Sequence, residues 1–260
     1  MKIPFYQVDA FTDRLFSGNP AAVCLLETWP EDRVLQNIAA ENNLSETAFL
    51  VGRRADYDLR WFTPTLEIDL CGHATLASAF VIFNFLSPEL AAVRFQTASG
   101  RLRVERSGEL LGMDFPARKA EKRAPVAGLA QALGVHPVEL YGARDIMAVF
   151  ETEKQIREMS PDFAALEKIK EAFAIIATAP GKKADFVSRF FAPNAGIPED
   201  PVTGSAHCTL IPYWAARLGK EKLHALQVSA RGGELFCEDR GERVSMAGRA
   251  VLFARGELVL

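Results

Sequence analysis

A single carboxylate in an otherwise apolar strand is the first feature of this chain equipped for chemistry. Glu46 sits in Ser45-Glu46-Thr47-Ala48-Phe49-Leu50-Val51. Partial loss of solvent there would raise its carboxyl toward the range of a general acid or base. Two short glycine turns complement it: Cys71-Gly72-His73-Ala74-Thr75 and Thr203-Gly204-Ser205-Ala206-His207, each followed by a long apolar run. A helix start leaves backbone N–H groups unpaired, and the macrodipole adds about half a positive charge there. Glycine lets a ligand approach that main chain closely. Two such starts facing one another would hold a carboxylate or a similar anion. His73 opens the first helix, and Asp200 stands in Glu199-Asp200-Pro201 just ahead of the second turn. Either residue suits hydrogen bonding to a ligand or a helix end.

Other chemistries find less support. Ser205 has no His-Asp pairing of the kind a nucleophilic serine needs. Cys71-x-His73 and His207-Cys208 lack the usual spacing of zinc ligands, and His136 and His224 lie in unrelated contexts. No metal is expected. The glycines fit neither a P-loop nor a dinucleotide fingerprint.

The elements that must position these residues occur twice. Ala55-Asp56-Tyr57-Asp58-Leu59-Arg60-Trp61-Phe62-Thr63-Pro64 matches Ala184-Asp185-Phe186-Val187-Ser188-Arg189-Phe190-Phe191-Ala192-Pro193 at a constant offset of 129. Pro30-Glu31-Asp32 and Ser160-Pro161-Asp162 each open a helix in their half, with Pro30 in the first turn. At the same offset Glu46 meets Ile175, so a symmetric scaffold carries one asymmetric carboxylate.

Strands are predicted over 5–10, 21–26, 45–51 and 57–61, with a turn at Ser17-Gly18-Asn19-Pro20 and a helix stopped by Asn42-Asn43. The run 74–85 is apolar nearly all round and therefore an enclosed helix, which a curled sheet would wrap. Strand segments follow over 93–115. Residues 116–125 read as a linker, dividing the chain into 1–117 and 118–260. The second half reads as a helix at 129–133, a strand at 146–150, a helix after Ser160 and a strand at 173–178. A helix over 206–218, ending at Gly219, carries Pro212 and so should kink or start late and irregularly. Strands dominate from 226 to 260, and the half that receives the last one is left open.

The 260 residues are 49% hydrophobic, enough for substantial cores, and the net charge of −3 gives no reason to expect nucleic acid or an anionic membrane as partner. Four scattered cysteines and a polar N-terminal stretch point to reduced thiols in a cytoplasmic protein. The longest apolar run, 76–86, is too short to span a bilayer.

Several pieces, spread over most of the chain, together resemble the phenazine-biosynthesis isomerase (PhzF-like) family, which shares the two-domain fold of diaminopimelate epimerase. They are Gln7-Val8-Asp9-Ala10-Phe11-Thr12, Gly18-Asn19-Pro20-Ala21-Ala22-Val23, Leu44-Ser45-Glu46-Thr47-Ala48-Phe49, Arg60-Trp61-Phe62-Thr63-Pro64, Leu70-Cys71-Gly72-His73-Ala74-Thr75 and Glu199-Asp200-Pro201-Val202-Thr203-Gly204-Ser205-Ala206. The resemblance implies an α+β fold of two similar domains, each a curled, barrel-like sheet around a central helix, related by a pseudo-two-fold. It implies an active site in the cleft between them and no cofactor. Glu46 would be the acid/base, with His73 and Asp200 as further catalytic groups. Gly72, Gly204, Ser205, Thr203, Cys71 and Asn19 would bind the substrate, and the chain would form a homodimer. One departure matters: the related epimerases and racemases oppose two cysteines, whereas this chain has Cys71 in one turn and Thr203 in the other. A two-thiol racemisation therefore does not fit.

The expected function is a cofactor-independent isomerase or epimerase that moves a proton on a small carboxylate-bearing substrate. Two rivals stand beside it. One is a metal- or thiol-dependent hydrolase built on Cys71, His73, His207 and Cys208; the other is a non-catalytic binder of small acids.

Overall fold

All residues from 1 to 260 are described by the structure, a computed structural model. The chain divides into two compact units, residues 1–114 with 247–260, and residues 115–246.

The first unit begins with β1 (Lys2–Ala10) and β2 (Asn19–Leu26), an antiparallel pair. Their connection needs Gly18: its φ is +66°, and a Cβ there would lie 2.2 Å from the carbonyl oxygen of Ala10. Helix α1 (Asp32–Asn42) follows, capped at Glu31 and closed by Asn43 in the left-handed region. Pro30 therefore lies ahead of the cap rather than in the first turn, so it shapes the approach to the helix. Next come β3 (Glu46–Arg53), β4 (Asp56–Phe62) and the short β5 (Glu67–Ile68). Helix α2 (Gly72–Val81) runs into a π turn over Ile82–Leu86. It packs against β1, β2 and β3, and nearly all its side chains are buried, as an all-round apolar helix requires. Strands β6 (Ala92–Thr97), β7 (Gly100–Ser107) and β8 (Leu110–Pro116) then carry the chain toward the second unit.

Side-chain parity explains why Glu46 faces inward. Phe49 and Phe62 join Cys24, Leu26, Leu35 and Ile38 in a core on the α1 side of the sheet. Alternation then turns Ala48 and Glu46 to the opposite face, against α2. Asn19, two residues before Ala21, lies on that same inner face.

The second unit repeats this plan with more helix on the outside. It contains β9 (Glu121–Lys122), α3 (Leu129–Leu133), β10 (Glu139–Gly142), β11 (Ile146–Val149), α4 (Glu153–Glu158) and α5 (Phe163–Leu166). Then follow β12 (Ile175–Pro180), β13 (Phe186–Ala192), β14 (Ile197–Asp200), α6 (Gly204–Leu218), β15 (Lys222–Gln227), β16 (Gly233–Asp239) and β17 (Arg243–Gly248). The segment read as a linker thus includes β9, which pairs with β10. The helix expected after Ser160 is only the four-residue α5, with its hydrogen-bonded cap at Asp162, and α4 precedes it. Helix α6 starts at Gly204, earlier than position 206, and Gly219 closes it in the left-handed region.

Corresponding pairings recur in the two units. β2 is parallel to β3, and β11 to β12; β4 is parallel to β6, and β13 to β15. Arg60 holds Glu67 through Nε and Nη2 as Arg189 holds Glu199, and each guanidinium lies over the phenylalanine two residues on. Strand β18 (Ala250–Val259) returns to pair with β1 along its whole length, from Lys2 opposite Val259 to Ala10 opposite Ala250. No helix is long and apolar enough to cross a membrane.

One part of the repeat is out of step. Arg60 is opposite Phe49, but Arg189 is opposite Ala177. The β3–β4 hairpin closes between Arg53 and Asp56, the β12–β13 hairpin between Pro180 and Phe186. The offset of 129 that fits β4 and β13 thus becomes 128 for the strands beside them. Such a one-residue slip exchanges the two faces, and Ile175 indeed packs into the outer core with Ala177 and Ala179. The counterpart of Glu46 is accordingly Ala174 rather than Ile175, and the asymmetry of one carboxylate against one apolar residue remains.

Candidate active site

In the first unit Glu46 lies at the head of β3, and His73 follows the glycine that opens α2. Their side chains are 9% and 6% exposed, with His73 Nε2 3.0 Å from Glu46 Oε2. Although close, the two atoms are not aligned as a hydrogen bond, and neither has another aligned protein partner. The approach is a close ion contact between two buried groups. At the opposite side of the ring, Asn19 Nδ2 is 3.2 Å and Cys71 Sγ 3.5 Å from Nδ1. The roles at Nδ1 follow the charge of the ring: a neutral ring that accepts there carries its proton on Nε2, toward Glu46, and the protonated ring donates from both nitrogens.

Electrostatics follow from this enclosure. Burial alone pushes the His73 imidazole down, but its hydrogen-bonding contact with Cys71 and the charge of the Glu46 carboxylate outweigh it, so the ring sits well above its ordinary 6.5. Burial, with the Glu46 charge adding to it, raises the Cys71 thiol above 9.0. Cys71 therefore stays a thiol near neutrality and is a poor nucleophile.

The ligating atoms of Glu46, Cys71 and His73 all lie within 4.8 Å of one another, a grouping that invites a cation. An imidazole binds a metal through one nitrogen, however, and here the thiol and the carboxylate stand at different nitrogens.

In the second unit Thr203 caps α6 in extended conformation, the place Cys71 takes at α2. Thr203 Oγ1 donates a short hydrogen bond to Asp200 Oδ2. Gln227 ties the turn down: its Oε1 accepts from Thr203 N at 2.9 Å, and its Nε2 donates to the Asp200 carbonyl at 2.8 Å. Ser205 Oγ accepts from Arg144 Nη2 at 3.2 Å. Gly204 is buried. His207 turns away from any such chemistry. Its Nδ1 donates to the Thr203 carbonyl at 2.8 Å, and burial holds the ring down to about 4, so it remains neutral. Burial likewise raises Cys208 to about 11. Cys208 thus stays a thiol near neutrality and is a poor nucleophile.

Within the first unit Glu46, His73, Cys71, Asn19 and Gly72 are thus gathered at one helix start. Asp200, Thr203, Gly204 and Ser205 are gathered at the other unit's helix start. Gln227 and Arg144 were missed by sequence reasoning. Gln227 gives no signal in a strand sequence, whereas Arg144-Asp145 ahead of a fully apolar run was a readable charge pair. Two surface hollows, one lined by Gly128, Asp162 and Lys168 and one by Gly52, Arg53 and Tyr57, contain none of these residues.

Comparison with known proteins bears on the family and the fold. The family model of phenazine biosynthesis-like proteins, PhzC-PhzF, matches residues 8–256. An uncharacterized isomerase of Pseudomonas aeruginosa is 52% identical over 260 residues, with all of both chains covered. A PhzF-family phenazine biosynthesis protein of Enterococcus faecalis, known from its crystal structure, is 49% identical, with a TM-score of 0.98 over all of both chains. A hydroxyproline epimerase of Agrobacterium vitis, 10% identical with a TM-score of 0.65, shares the fold over 99% of this chain and 91% of its own. Two similar α+β units, each wrapped around a central helix, define an isomerase of the epimerase fold. The chain belongs to the phenazine biosynthesis-like (PhzC-PhzF) family.

Proposed function

We propose that the protein is a cofactor-independent isomerase in which Glu46 takes a proton from one carbon of a small carboxylate-bearing substrate and returns it to another. The reaction takes place in a cleft between the two halves. His73, kept protonated by its surroundings, steadies the Glu46 carboxylate and exchanges a proton with it through Nε2. Main-chain donors at Gly72-His73 and Gly204-Ser205 receive the substrate carboxylate and the negative charge that grows as the C–H bond breaks. Asp200, braced by Thr203 and Gln227, handles a proton on the substrate's far side.

One observation carries this reading: Glu46 and His73 are buried in close ion contact, yet both contacting atoms lack an aligned hydrogen bond. An apolar pair of similar volume would usually serve stability as well or better, so the fold alone gives no reason to place this pair there. The two-thiol mechanism has no second cysteine to use, since Thr203 occupies the matching cap.

The test is to incubate small amino and hydroxy acids with the protein in D2O and follow carbon-bound deuterium by NMR. The active substrate should incorporate deuterium, and Glu46→Gln should slow incorporation at least about 100-fold, the usual contribution of a positioned acid/base. If Glu46→Gln exchanges at the wild-type rate, Glu46 is not the base. If ligands bind without exchange in either protein, the chain is a binder of small acids.

A further inference from the structure

A proline inside α6 and an arginine with no protein acceptor have a common explanation. Pro212 has no N–H, so the carbonyl of Cys208, four residues earlier, loses its intrahelical donor. Arg118 supplies the missing bond: its backbone N–H donates to Cys208 O at 2.8 Å. Residue 118, just after β8, is thereby fastened to α6 one turn beyond Gly204-Ser205.

The Arg118 side chain makes no protein hydrogen bond in return, and its Nη1 is fully buried without an acceptor. A buried guanidinium N–H left in this state is costly and requires an acceptor from elsewhere. Arg144 stands nearby. Its Nε and Nη2 hold the buried Asp145 in a two-pronged contact at 2.9 and 2.8 Å, and its guanidinium lies over Phe173 at 4.8 Å. Nη2 also reaches Ser205 Oγ, while Nη1 is not engaged by the protein. Arg118 is bonded to Cys208 and Arg144 to Ser205, three residues apart on α6, so the two arginines stand around the same turn of that helix. Against the two arginines stands Asp145, leaving a net positive charge. No comparable arginine takes part at the α2 start, where Asn19 approaches His73 instead.

We infer that Arg118, Arg144 and Ser205 form an oxyanion subsite on the second unit, and that it holds a second acidic group of the substrate, making the substrate a small dicarboxylic acid. This assignment rests on the isomerase reading, in which main-chain donors hold the first carboxylate. The two repeats then divide the labour: one supplies proton transfer, the other charge recognition.

Isothermal titration of the intact protein tests this with malonate, succinate and glutarate, each against its monoamide, and with inorganic phosphate as a separate arm. At least one dicarboxylate should bind at least tenfold more tightly than its monoamide, and that preference should vanish in Arg118→Gln and in Arg144→Gln. Arg118→Lys should keep part of it, having charge without the planar fork. Because the Arg118 side chain makes no hydrogen bond or ion pair with the protein, Arg118→Gln should melt no lower than wild type, which a merely structural role would not permit. Equal binding of diacids and monoamides, or Arg118→Gln binding like wild type, overturns the inference. Arginine-dependent binding of phosphate alone overturns the dicarboxylate assignment in favour of a phosphate ester. The isomerase reading fails separately: arginine-dependent binding with no deuterium exchange would sink it and leave the subsite standing.

Discussion

At the scale of residues, Glu46 and His73 form a close, buried ion contact that no aligned hydrogen bond completes. Removing one member leaves the other uncompensated, and His73→Leu should cost about 3–5 kcal/mol in urea denaturation. The double variant Glu46→Leu, His73→Leu should recover most of that loss while remaining inactive, so that stability and activity separate. pH affects the two buried histidines in opposite senses. His73 is raised above 6.5, so the stability of its ion contact is complete below that pH and is lost as pH rises through the folded-state value. His207 is lowered to about 4, so the neutral ring favours the folded state above 6.5, and that contribution is lost as pH falls from 6.5 toward 4. Replacing His207 by Gln should flatten the acid limb of a stability–pH curve by about 3 kcal/mol. An unchanged limb would show that His207 titrates normally.

At the scale of elements, the two Arg–Glu clasps look alike but should not be equal. Arg60 is 25% exposed and engages Glu67 and Asp32, whereas Arg189 is 11% exposed and also donates to the carbonyls of Ile156 and Met159. Arg189→Ala should therefore lower stability by roughly 3 kcal/mol or more and Arg60→Ala by about 1 kcal/mol, as measured by chemical denaturation. Much at this scale was legible in sequence. The Tyr57–Trp61 alternation, the apolar run after Gly72 and the Gly219 stop depend on neighbours a few residues away. What stayed hidden depends on distant partners. The register slip at Ala174 comes from a longer hairpin that only strand pairing reveals, and the effect of Pro212 depends on an N–H nearly a hundred residues upstream in Arg118. Sequence marked Pro212 as a defect in the helix, while the structure has it create an attachment point.

At the scale of the whole molecule, the chain crosses between units and comes back, so the C-terminal strand completes the sheet where the N-terminal strand begins. Deleting residues 250–260 should expose the edge of β1 and strip hydrogen-exchange protection from the first unit before the second; equal loss in both would contradict that assignment. The candidate site residues of the first unit were readable because Glu46, Cys71 and His73 each lie in a short motif. Arg118 and Gln227 were not, because tertiary contacts alone relate them to α6, and the Arg144-Asp145 pair was readable as charge but not as a neighbour of α6. The central claim is that Glu46 and His73 are one acid–base couple, and the titration of His73 by 15N NMR tests it most directly. With only four histidines, His73, His136, His207 and His224, the assignment is tractable. His73 should titrate well above 6.5 in the wild type and fall back sharply in Glu46→Gln. A His73 that titrates at or below 6.5, or is indifferent to the loss of Glu46, would contradict the account.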